Sequence, residues 1–527
     1  MAFVVMPIFR LARAGFVMAR EGVFSLANLP DLPAGPRFAI ACARLLERRS
    51  VKTKSAELRL SDALNRLGPS YVKLGQFLAT RADVVGKDAA RDLAALQDQL
   101  PPFDHEAARC AVSNQFGQSV EELFVEFGEA VAAASIAQVH PAVVRDHEGV
   151  ERKVAVKVLR PGVAKRFQRD LDSYYLVARL AERFHAPSRR LRPVAVVDTL
   201  AQSVAMEMDF RLEAAGLSEM AENTAEDNGF RVPEVDWIRT GKGVLTMEWI
   251  DGRKMSDVEG LTEDGHDLEA LGDLVIQSFL RHTLRDGFFH ADMHQGNLFV
   301  GPDGTLIAVD FGIVGRLNKR ERRFLAEILF GFITRNYKRV AEVHFEAGYV
   351  PADQDVDMFA QAIRAIGEPI HGHDASEISM ARLLTQLLEV TELFDMSTQT
   401  QLIMLQKTMV VVEGVARTLN PNLDMWKTAE PVVGGWIAEH LGPTGKIRDV
   451  GDAISALARV ANDMPLFADR IGRMSEELEK MTTQGLRFSD ETAEAIGKAE
   501  ARYTRSGRVA LWVIAISMVA MAVAQFY

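Results

Sequence analysis

The sequence predicts an α+β fold of two lobes, with helical segments before and after them. Two β-type runs, at 143–145 and 153–159, are separated by a polar turn and predict a first sheet. Two shorter runs, at 298–300 and 306–309, flank a Gly-Pro-Asp-Gly turn and predict a hairpin in the second lobe. Elsewhere apolar residues recur at helical spacing, so helices are expected on both sides of the strands.

Composition and charge narrow the class of protein. The 527 residues are 48% hydrophobic and 25% charged, which is typical of a folded chain of more than one domain. The net charge of -11 makes the chain a poor non-specific nucleic-acid binder, so no nucleic-acid partner is expected. Cys42 and Cys110 stand in no zinc-binding spacing and are too few for a disulfide framework, which fits a reducing compartment.

The N-terminal segment is apolar and basic. Residues 1–20 contain Arg10, Arg13 and Arg20 but lack the charged start and clean apolar core of a signal peptide. A helix of this kind lies either on a membrane or on the protein itself. Packing against the protein core is the favoured expectation.

A later helix is predicted to begin near Pro69, because proline is favoured at the first helical position. Leu67, Tyr71, Leu74 and Leu78 recur at helical spacing around this start. One face of the helix is therefore expected to be buried.

Two short motifs in the second lobe carry the chemistry. They are His-Ala-Asp-Met-His-Gln-Gly-Asn at 290–297 and Asp-Phe-Gly at 310–312. Asp292 and Asn297 precede one predicted strand and Asp310 follows the next, which is the order of the catalytic Asp and the two metal ligands of protein kinases. Phosphoryl transfer needs Mg²⁺ on the phosphate oxygens, and Mg²⁺ prefers oxygen ligands such as Asn297 and Asp310. The sequence predicts a Mg-ATP site in which Asp292 orients or deprotonates the attacking hydroxyl or water.

A metal centre is the competing interpretation of the same segment. His290, Asp292 and His294 alternate along the chain, so in a strand their side chains would share one face. This interpretation is disfavoured because it leaves the later Asn and the Asp-Phe-Gly motif unexplained.

A lysine in the first lobe is expected to contact the phosphates of ATP. Lys157 ends the run Val-Ala-Val-Lys, which matches the kinase strand that carries this lysine. Kinases hold the lysine with a glutamate, and both Glu207 and Glu213 are candidates. Both follow Lys157 at a much greater distance along the chain than in ordinary kinases, so an insertion is expected.

The expected phosphate loop is rich in alanine where kinases have glycine. Glycines let backbone amides approach the phosphates closely. Alanine methyl groups restrict positive φ and stiffen the loop, which predicts an altered nucleotide pose with binding retained. The residues of this loop are Val131, Ala132, Ala133, Ala134, Ser135, Ile136, Ala137, Gln138 and Val139.

Together these residues resemble the UbiB family of atypical kinase-like proteins, which is linked to ubiquinone biosynthesis. Further marks of the family are a Lys-x-Gly-Gln motif at 73–76 and a Glu-x-Asp motif at 207–209. The resemblance covers about 60–345 and continues more loosely toward the C-terminus. Gln295 replaces the family's usual proline, which leaves the turn residue Gly296 and the metal-binding Asn in place.

The resemblance implies a protein-kinase-like fold whose N-terminal extension, with Lys73 and Gln76, folds over the cleft and obstructs protein substrates. It implies ATP and Mg²⁺ as cofactors. The implied activity is hydrolysis of ATP, or phosphorylation of something small, in support of membrane enzymes. The implied partners are membrane lipids or quinone precursors and the enzymes of ubiquinone biosynthesis, with the oligomeric state left open.

The last segment of the chain predicts a membrane anchor. Residues 509–524 carry no charge, and 509–527 would form a helix of about 28 Å, just long enough to span a bilayer. It is preceded by Arg502, Arg505 and Arg508, which predicts that the rest of the chain lies at the cytoplasmic face of the membrane. The resemblance implies that this is a bacterial inner membrane. A buried or interfacial helix is the alternative, and only one span is recognised.

The predicted organisation has five parts. They are an N-terminal helical extension at 1–128, a kinase-like N-lobe with inserted helices at 129–252, the catalytic core of the C-lobe at 253–345, a helical C-terminal region at 346–507 and a transmembrane anchor at 508–527.

Other functions are compatible with parts of this pattern. Small-molecule phosphotransferases, such as aminoglycoside and choline kinases, carry a similar catalytic loop but lack the Lys-x-Gly-Gln helix. A non-catalytic lipid-binding scaffold is disfavoured by the intact Lys157, Asp292, Asn297 and Asp310. A conventional protein kinase is disfavoured most, because the glycine-rich loop is missing.

Overall fold

The structure is a computed structural model, and it describes much of the chain up to residue 442. The described residues are 2–26, 40–51, 56–79, 93, 101–146, 148–184, 189, 191–372, 386, 390, 393–396 and 400–442. Those up to 437 belong to one compact unit, and a second unit, 438–527, is described only at 438–442.

The strands are β1 (Glu126–Phe127), β2 (Ala132–Ala133), β3 (Ala137–Arg145), β4 (Glu151–Leu159), β5 (Phe230–Arg231), β6 (Val244–Glu248), β7 (Arg253–Lys254), β8 (Phe288–His290), β9 (Leu298–Val300), β10 (Leu306–Ala308) and β11 (Val314–Arg316). The helices are α1 (Ala2–Arg20), α2 (Ala56–Leu67), α3 (Pro69–Ala79), α4 (His105–Phe116), α5 (Val120–Leu123), α6 (Val163–Phe184), α7 (Pro193–Glu207), α8 (Phe210–Asn223), α9 (Val258–Glu263), α10 (Leu268–Arg281), α11 (Lys319–Ile333), α12 (Tyr337–Glu346), α13 (Val356–Gly372), α14 (Thr400–Leu419) and α15 (Met425–His440).

The first lobe is built on a five-stranded antiparallel sheet. Its order is β1-β3-β4-β6, and β2 pairs with β3. Side chains alternate across β4, so Val154, Val156 and Val158 pack with residues of α4 and α5, whereas Ala155 faces the main core. Lys157 shares the face of Ala155, which directs its ammonium group toward α8.

The limits of this sheet differ slightly from the expected ones. β1 lies at 126–127, so the sheet begins three residues before the boundary expected at 129. β3 begins at Ala137, inside the segment expected to form the alanine-rich phosphate loop. β3 begins this early because a tight turn at 134–136 brings β2 back alongside its first residues.

The second lobe carries the catalytic segment on two small sheets. The four-stranded sheet has the order β5-β10-β9-β7, in which β5 and β10 are parallel and the other pairs antiparallel. The two-stranded sheet pairs β8 with β11. Leu298 lies opposite Ala308, so the residues just before β9 and just after β10 meet at one sheet edge.

Two inserted helices, α6 and α7, occupy the interval between Lys157 and Glu213. They pack against each other, and α6 also contacts α1 and α3. The helix α3 begins at Pro69 as expected, after Gly68, whose φ of 103° lies in the region that favours glycine. Arg166 of α6 donates from Nη2 to the carbonyl of Leu67 at 2.7 Å, which ties the start of α3 to the insertion.

The helix α1 packs on the protein along one face only. Ala14 is buried in the main core. The large side chains of Met6, Ile8, Phe9 and Phe16 are instead exposed by between 48% and 69%. Core packing, the favoured expectation for this segment, therefore accounts for only one side of the helix.

The C-terminal part of the described chain is helical, as expected. Helices α11 to α15 follow the second lobe, and α14 packs against α10. In the part of the chain that the structure describes, no helix is both long enough and apolar enough to cross a membrane. The anchor expected at 508–527 lies outside the described residues.

Candidate active site

His290 supports the catalytic segment from inside the lobe. Its buried ring donates from Nε2 to the carbonyl of Val309 at 3.0 Å and accepts at Nδ1 from the amide of Asp292 at 3.0 Å. An amide can only donate, so Nδ1 is unprotonated, and burial also lowers the pKa of His290. Both ring nitrogens are engaged, which argues against the competing metal centre of His290, Asp292 and His294.

That competing interpretation finds no other support in the described ranges. Among these residues, no three His, Cys, Asp or Glu side chains are grouped so that they could hold a metal ion. His294 uses Nδ1 to accept from the amide of Gly296 at 3.0 Å. The histidines of the segment are therefore engaged in shaping the loop.

Asp292 holds its carboxylate in the open on a fixed backbone. Its side chain is 46% exposed, and its Oδ2 lies 3.7 Å from Nε2 of His294. Its amide is engaged by His290, and its carbonyl accepts from Nδ2 of Asn297 at 3.1 Å. A fixed backbone with an accessible carboxylate suits a group that orients a reactant or accepts its proton.

Asn297 and Asp310 come together at the edge formed by β9 and β10. The amide of Val309 donates to the carbonyl of Asn297 at 2.9 Å, so Asp310 follows directly on this contact. Asn297 uses its side-chain nitrogen for Asp292, which leaves the amide oxygen as the atom able to bind a cation. Asp310 has a φ of 62°, a left-handed conformation that costs a non-glycine residue energy and is retained mainly at functional sites.

Lys157 links the two lobes through two carboxylates. Its Nζ lies 2.8 Å and 3.0 Å from the carboxylate oxygens of Glu213 and 3.1 Å from Oδ2 of Asp310. Lys157 and Glu213 are 12% and 5% exposed, whereas Asp310 is 45% exposed. The lysine therefore has Glu213 as its buried partner and Asp310 as its partner on the open side.

Charge and burial act against each other within this cluster. Burial raises the pKa of Glu213, the attraction of Lys157 lowers it, and the charge of Asp310 raises it, with a net value of about 7. Burial also raises the pKa of Asp310, but the ammonium group of Lys157 outweighs it and lowers that pKa to about 2. Burial lowers the pKa of Lys157, and the two carboxylates outweigh this and raise it. Lys157 and Asp310 are thus charged at neutral pH.

The choice between Glu207 and Glu213, which the sequence left open, is made by the fold. Glu213 lies on α8, and this helix packs closely on the Asp-Phe-Gly segment. A side chain at Gly216 would be in van der Waals contact with Phe311, at 3.5 Å. Arg316 of β11 also donates from Nη1 to Glu219 of α8 at 2.6 Å. These contacts hold Glu213 beside Lys157, an arrangement that kinases require for ATP turnover.

Glu207 pairs with the N-terminal extension instead. Nζ of Lys73 on α3 lies 2.7 Å from Oε2 of Glu207, and both side chains are about 15% exposed. Gln76 lies on the same helix and is partly buried. Asp209, the other member of the Glu-x-Asp motif, caps α8 by accepting from the amide of Arg211 at 3.3 Å. The two acidic residues of the motif therefore have different roles. Glu207, at the end of α7, pairs with α3, and Asp209 caps the start of α8.

The alanine-rich loop is a narrow hairpin closed by its own backbone. Ala132 lies opposite Val139, and Ala133 opposite Gln138. The amide of Ala134 donates to the carbonyl of Ala137 at 2.8 Å. Backbone pairing sets the conformation of this loop, in place of the freedom that glycines give a kinase loop.

The other loop residues have different surroundings. Ser135 and Ile136 are buried, and Val131 is 59% exposed. Gln138 was expected in the nucleotide site, but its Oε1 accepts from the amide of Phe103 at 2.8 Å and its Nε2 donates to the carbonyl of Phe103 at 3.3 Å. A buried side-chain amide needs partners for both of its ends, and the backbone before α4 supplies them. These contacts hold the segment before α4 on the sheet, and a role of Gln138 in nucleotide binding stays a prediction.

Two contributors to the site were missed by sequence reasoning. The ring of Phe210 lies 5.4 Å from Nζ of Lys157, a distance suited to a cation–π contact. Thr408 of α14 donates from Oγ1 to the carbonyl of Ala291 at 3.0 Å, inside the catalytic segment. Phe210 could have been suspected from its place in the Glu-x-Asp segment, whereas no sequence signal connects Thr408 with residues so far away.

Comparisons with known proteins agree with this geometry. The family model of the ABC1 atypical kinase-like domain matches residues 95–344, and that of the UbiB helical domain matches 363–424. A probable protein kinase UbiB of Marinobacter nauticus is 38% identical over 463 residues, covering 86% of this chain and 83% of the relative. Its counterpart in Histophilus somni is 40% identical over 412 residues, covering 77% and 76%.

Among solved structures, one described as the complex structure of Rv3197-erythromycin from Mycobacterium tuberculosis is also similar. The TM-score is 0.46 at 24% sequence identity, over 72% of this chain and 96% of that one. The two family matches confirm the kinase-like fold and the helical C-terminal region that the sequence predicted.

Proposed function

The chain belongs to the UbiB family of ABC1 atypical kinase-like proteins, and on that premise we propose that it binds Mg-ATP and supports ubiquinone biosynthesis. The observation that carries the proposal is the cluster of Lys157, Glu213 and Asp310, which joins the two lobes. Kinases need this lysine–glutamate pair and this aspartate in place together. Hydrolysis of ATP, coupled to lipid-like precursors or to the enzymes that modify them, is the reaction proposed.

The residues present fit a magnesium ion. The amide oxygen of Asn297 and the carboxylate of Asp310 are hard oxygen donors, and the low pKa of Asp310 keeps it ionised at neutral pH. Bound Mg²⁺ would neutralise charge on the phosphate oxygens. Asn297 and Asp310 would hold it, and Lys157 would contact the phosphates from the other side of the cleft.

The other residues of the site would each have a separate role in the reaction. Asp292, with an exposed carboxylate on a fixed backbone, would orient the attacking water or small hydroxyl compound and accept its proton. Glu213 would position Lys157. The loop at 131–139, closed by backbone pairing, would cover the nucleotide in a pose that differs from that of ordinary kinases.

The ion pair of Lys73 and Glu207 supports a cap over the cleft. It joins α3, from the N-terminal extension, to the end of α7, just before the helix that carries Glu213. A cap at this place would obstruct protein substrates and leave room for water or a small molecule. The proposed activity is therefore not general protein phosphorylation.

Breaking this pair should loosen α3 measurably. We expect Lys73→Gln and Glu207→Gln each to speed amide hydrogen exchange in 69–79 by about fivefold, since a partly buried, charge-assisted hydrogen bond contributes about 1 kcal/mol. Hydrogen exchange with mass spectrometry would measure this. The double variant should match either single variant. Additive effects, or unchanged exchange, would argue against a cap held by this pair.

The C-terminal segment at 508–527 is proposed as a membrane tether on sequence grounds alone. It is uncharged over 509–524 and follows Arg502, Arg505 and Arg508. Such a tether would keep the cleft at the cytoplasmic face of the membrane, within reach of lipid-like precursors.

The pathway assignment is tested by quinone profiling. A strain lacking the gene should lose most of its ubiquinone, and the wild-type gene should restore it. Asp292→Asn should fail to restore it, because the amide accepts no proton at neutral pH. Asp303→Asn, a matched change in an exposed turn of the same lobe, should restore it fully. Normal ubiquinone in the strain without the gene would overturn the assignment.

A further inference from the structure

The helix α1 presents several large apolar side chains to solvent, whereas Ala14 is buried in the main core and Val17 and Met18 pack partly buried against it. Ala14 and Ala19 are 6% and 3% exposed. Met6, Phe9 and Phe16 are 68%, 69% and 48% exposed. A helix that only covered its own protein would turn its large apolar side chains inward, because that burial stabilises most.

The exposed residues form one stripe along the helix. Met6, Phe9, Arg13 and Phe16 follow each other at spacings of three and four residues, so they lie on one face, with Ile8 beside them. Arg13 is exposed in the middle of this stripe. The stripe is therefore apolar with a guanidinium group at its centre.

Two further exposed leucines lie near the last turn of α1. Leu45 and Leu46 are 85% and 49% exposed. The amide of Arg48 donates to the carbonyl of Arg20 at 3.1 Å, which places this segment beside the last turn of α1. We call Met6, Ile8, Phe9, Arg13, Phe16, Leu45 and Leu46 the outer surface.

The charge around the outer surface is basic in an acidic protein. Helix α1 contains three arginines and no acidic residue. The first fifty residues contain seven arginines and three acidic residues, whereas the whole chain has a net charge of -11. Arg48 shares Glu21 with Arg66, and Arg10 lies 4.0 Å from Asp172. Arg13 and Arg49 are exposed to solvent.

We propose that the outer surface docks on an anionic lipid bilayer. Phenylalanine, leucine and methionine side chains enter the boundary between head groups and acyl chains, and arginine reaches the lipid phosphates from within the same stripe. A second copy of the chain is disfavoured as the occupant, because a two-fold interface would place the outer surface against itself and Arg13 near its own copy. The combination of apolar and basic groups matches an anionic membrane surface.

This docking is independent of ATP turnover and of the proposed C-terminal tether. It concerns residues on the opposite end of the chain and needs no nucleotide. A tether at 508–527 would hold the protein near a bilayer, whereas α1 would set which face of the first lobe lies on it.

A local probe tests the proposal in the full-length protein. Cys42→Ser and Cys110→Ser remove the native thiols, both exposed, and Phe9→Cys takes an environment-sensitive NBD label. The protein is reconstituted without ATP in vesicles of phosphatidylglycerol and phosphatidylcholine, or of phosphatidylcholine alone. The matched control carries the label at Met358→Cys, a site on α13 that is 66% exposed, against 69% for Phe9.

The proposal expects a blue shift and quenching by spin-labelled lipid at position 9 in anionic vesicles, and neither change at position 358. Changing Arg13→Gln should lower the ratio of inserted to free helix about fivefold, which is the contribution of one arginine near an anionic surface. Circular dichroism verifies that each variant is folded.

Three outcomes would overturn the proposal. They are absence of lipid quenching at position 9, equal quenching at positions 9 and 358, and a blue shift without vesicles that grows with protein concentration, which would identify a second copy as the occupant. Loss of ATP hydrolysis in a protein that still inserts position 9 would count against the proposed function alone.

Discussion

The variant Asp310→Asn should lose Mg-ATP turnover by about 100- to 1000-fold while remaining folded. The amide keeps the shape of the side chain and tolerates the left-handed backbone, with φ at 62°, better than most residues do. It lacks the negative charge that a magnesium ion needs and that faces Lys157 at 3.1 Å. Steady-state release of phosphate from ATP measures the effect.

The melting temperature of Asp310→Asn shows whether turnover is lost because the charge is missing or because the protein has unfolded. Removing the charge of Asp310 relieves Glu213 of a repulsion but also breaks the ion pair with Lys157, and the lowered pKa of Asp310 means that the fold favours its charge, so the melting temperature should fall modestly while the protein remains folded. The matched control is Asp303→Asn, in the exposed turn between β9 and β10, where the side chain accepts from Thr305. Wild-type turnover in Asp310→Asn would remove the main support for the proposed site.

The variant Lys157→Met should lose both ATP turnover and stability. It leaves Glu213 buried without its cation and next to Asp310, and removing one partner of a buried ion pair costs about 3 kcal/mol. Turnover should fall by about 100-fold or more, because no other described contact replaces the ammonium group between the two carboxylates. Urea unfolding and phosphate release measure the two effects.

The stability loss in Lys157→Met should depend on pH. In the wild type the pKa of Glu213 is about 7, above its ordinary value of 4.5, so the fold favours the protonated carboxyl group. The stability that this group contributes is present at low pH and is lost as pH rises through 7. Without Lys157 the pKa of Glu213 moves higher still. The variant should therefore be closest to the wild type near pH 5.5 and furthest from it near pH 8.

A second substitution separates stability from catalysis. Glu213→Gln in the Lys157→Met background removes the buried carboxylate, so the free energy of unfolding should recover and lose most of its pH dependence. ATP turnover should not recover. If turnover returned with stability, Lys157 would have only a structural role.

The order of the chemical groups along the chain could be read from the sequence. Asp292, Asn297 and Asp310 are each within a few residues of a strand, and β9 coincides with its predicted run. Short-range patterns of this kind depend on alternation of side chains and on turn residues, which the sequence displays directly. The kinase-like site and the family resemblance both followed from them.

The partner of Lys157 could not be read in the same way. Glu207 ends the second inserted helix and Glu213 lies in the first turn of the next, and both belong to the same acidic segment. Their separation comes from packing: Gly216 lets α8 approach Phe311, and Lys73 takes Glu207. Contacts between α3 and α7 bring together residues that are far apart in the chain, and no local pattern encodes them.

The two sides of α1 show the same limit. Hydropathy identified residues 1–20 as an apolar, basic helix, and a buried helix and an interfacial helix have the same pattern. Only the packed structure shows Ala14 inward and Phe9 outward, because contacts with helices that are distant in the sequence decide which side of α1 is covered.

The sequence by itself determined the candidate catalytic groups, their order and the family of the protein, since these depend on residue types at short spacing. Tertiary structure alone decided that Glu213 pairs with Lys157, that Glu207 pairs with Lys73, that Gln138 bonds to the backbone of Phe103, and that α1 exposes Met6, Ile8, Phe9 and Phe16. Each of these depends on contacts between residues that are far apart in the sequence. Such contacts decide which side chains are buried, and burial determines which polar and charged groups must pair.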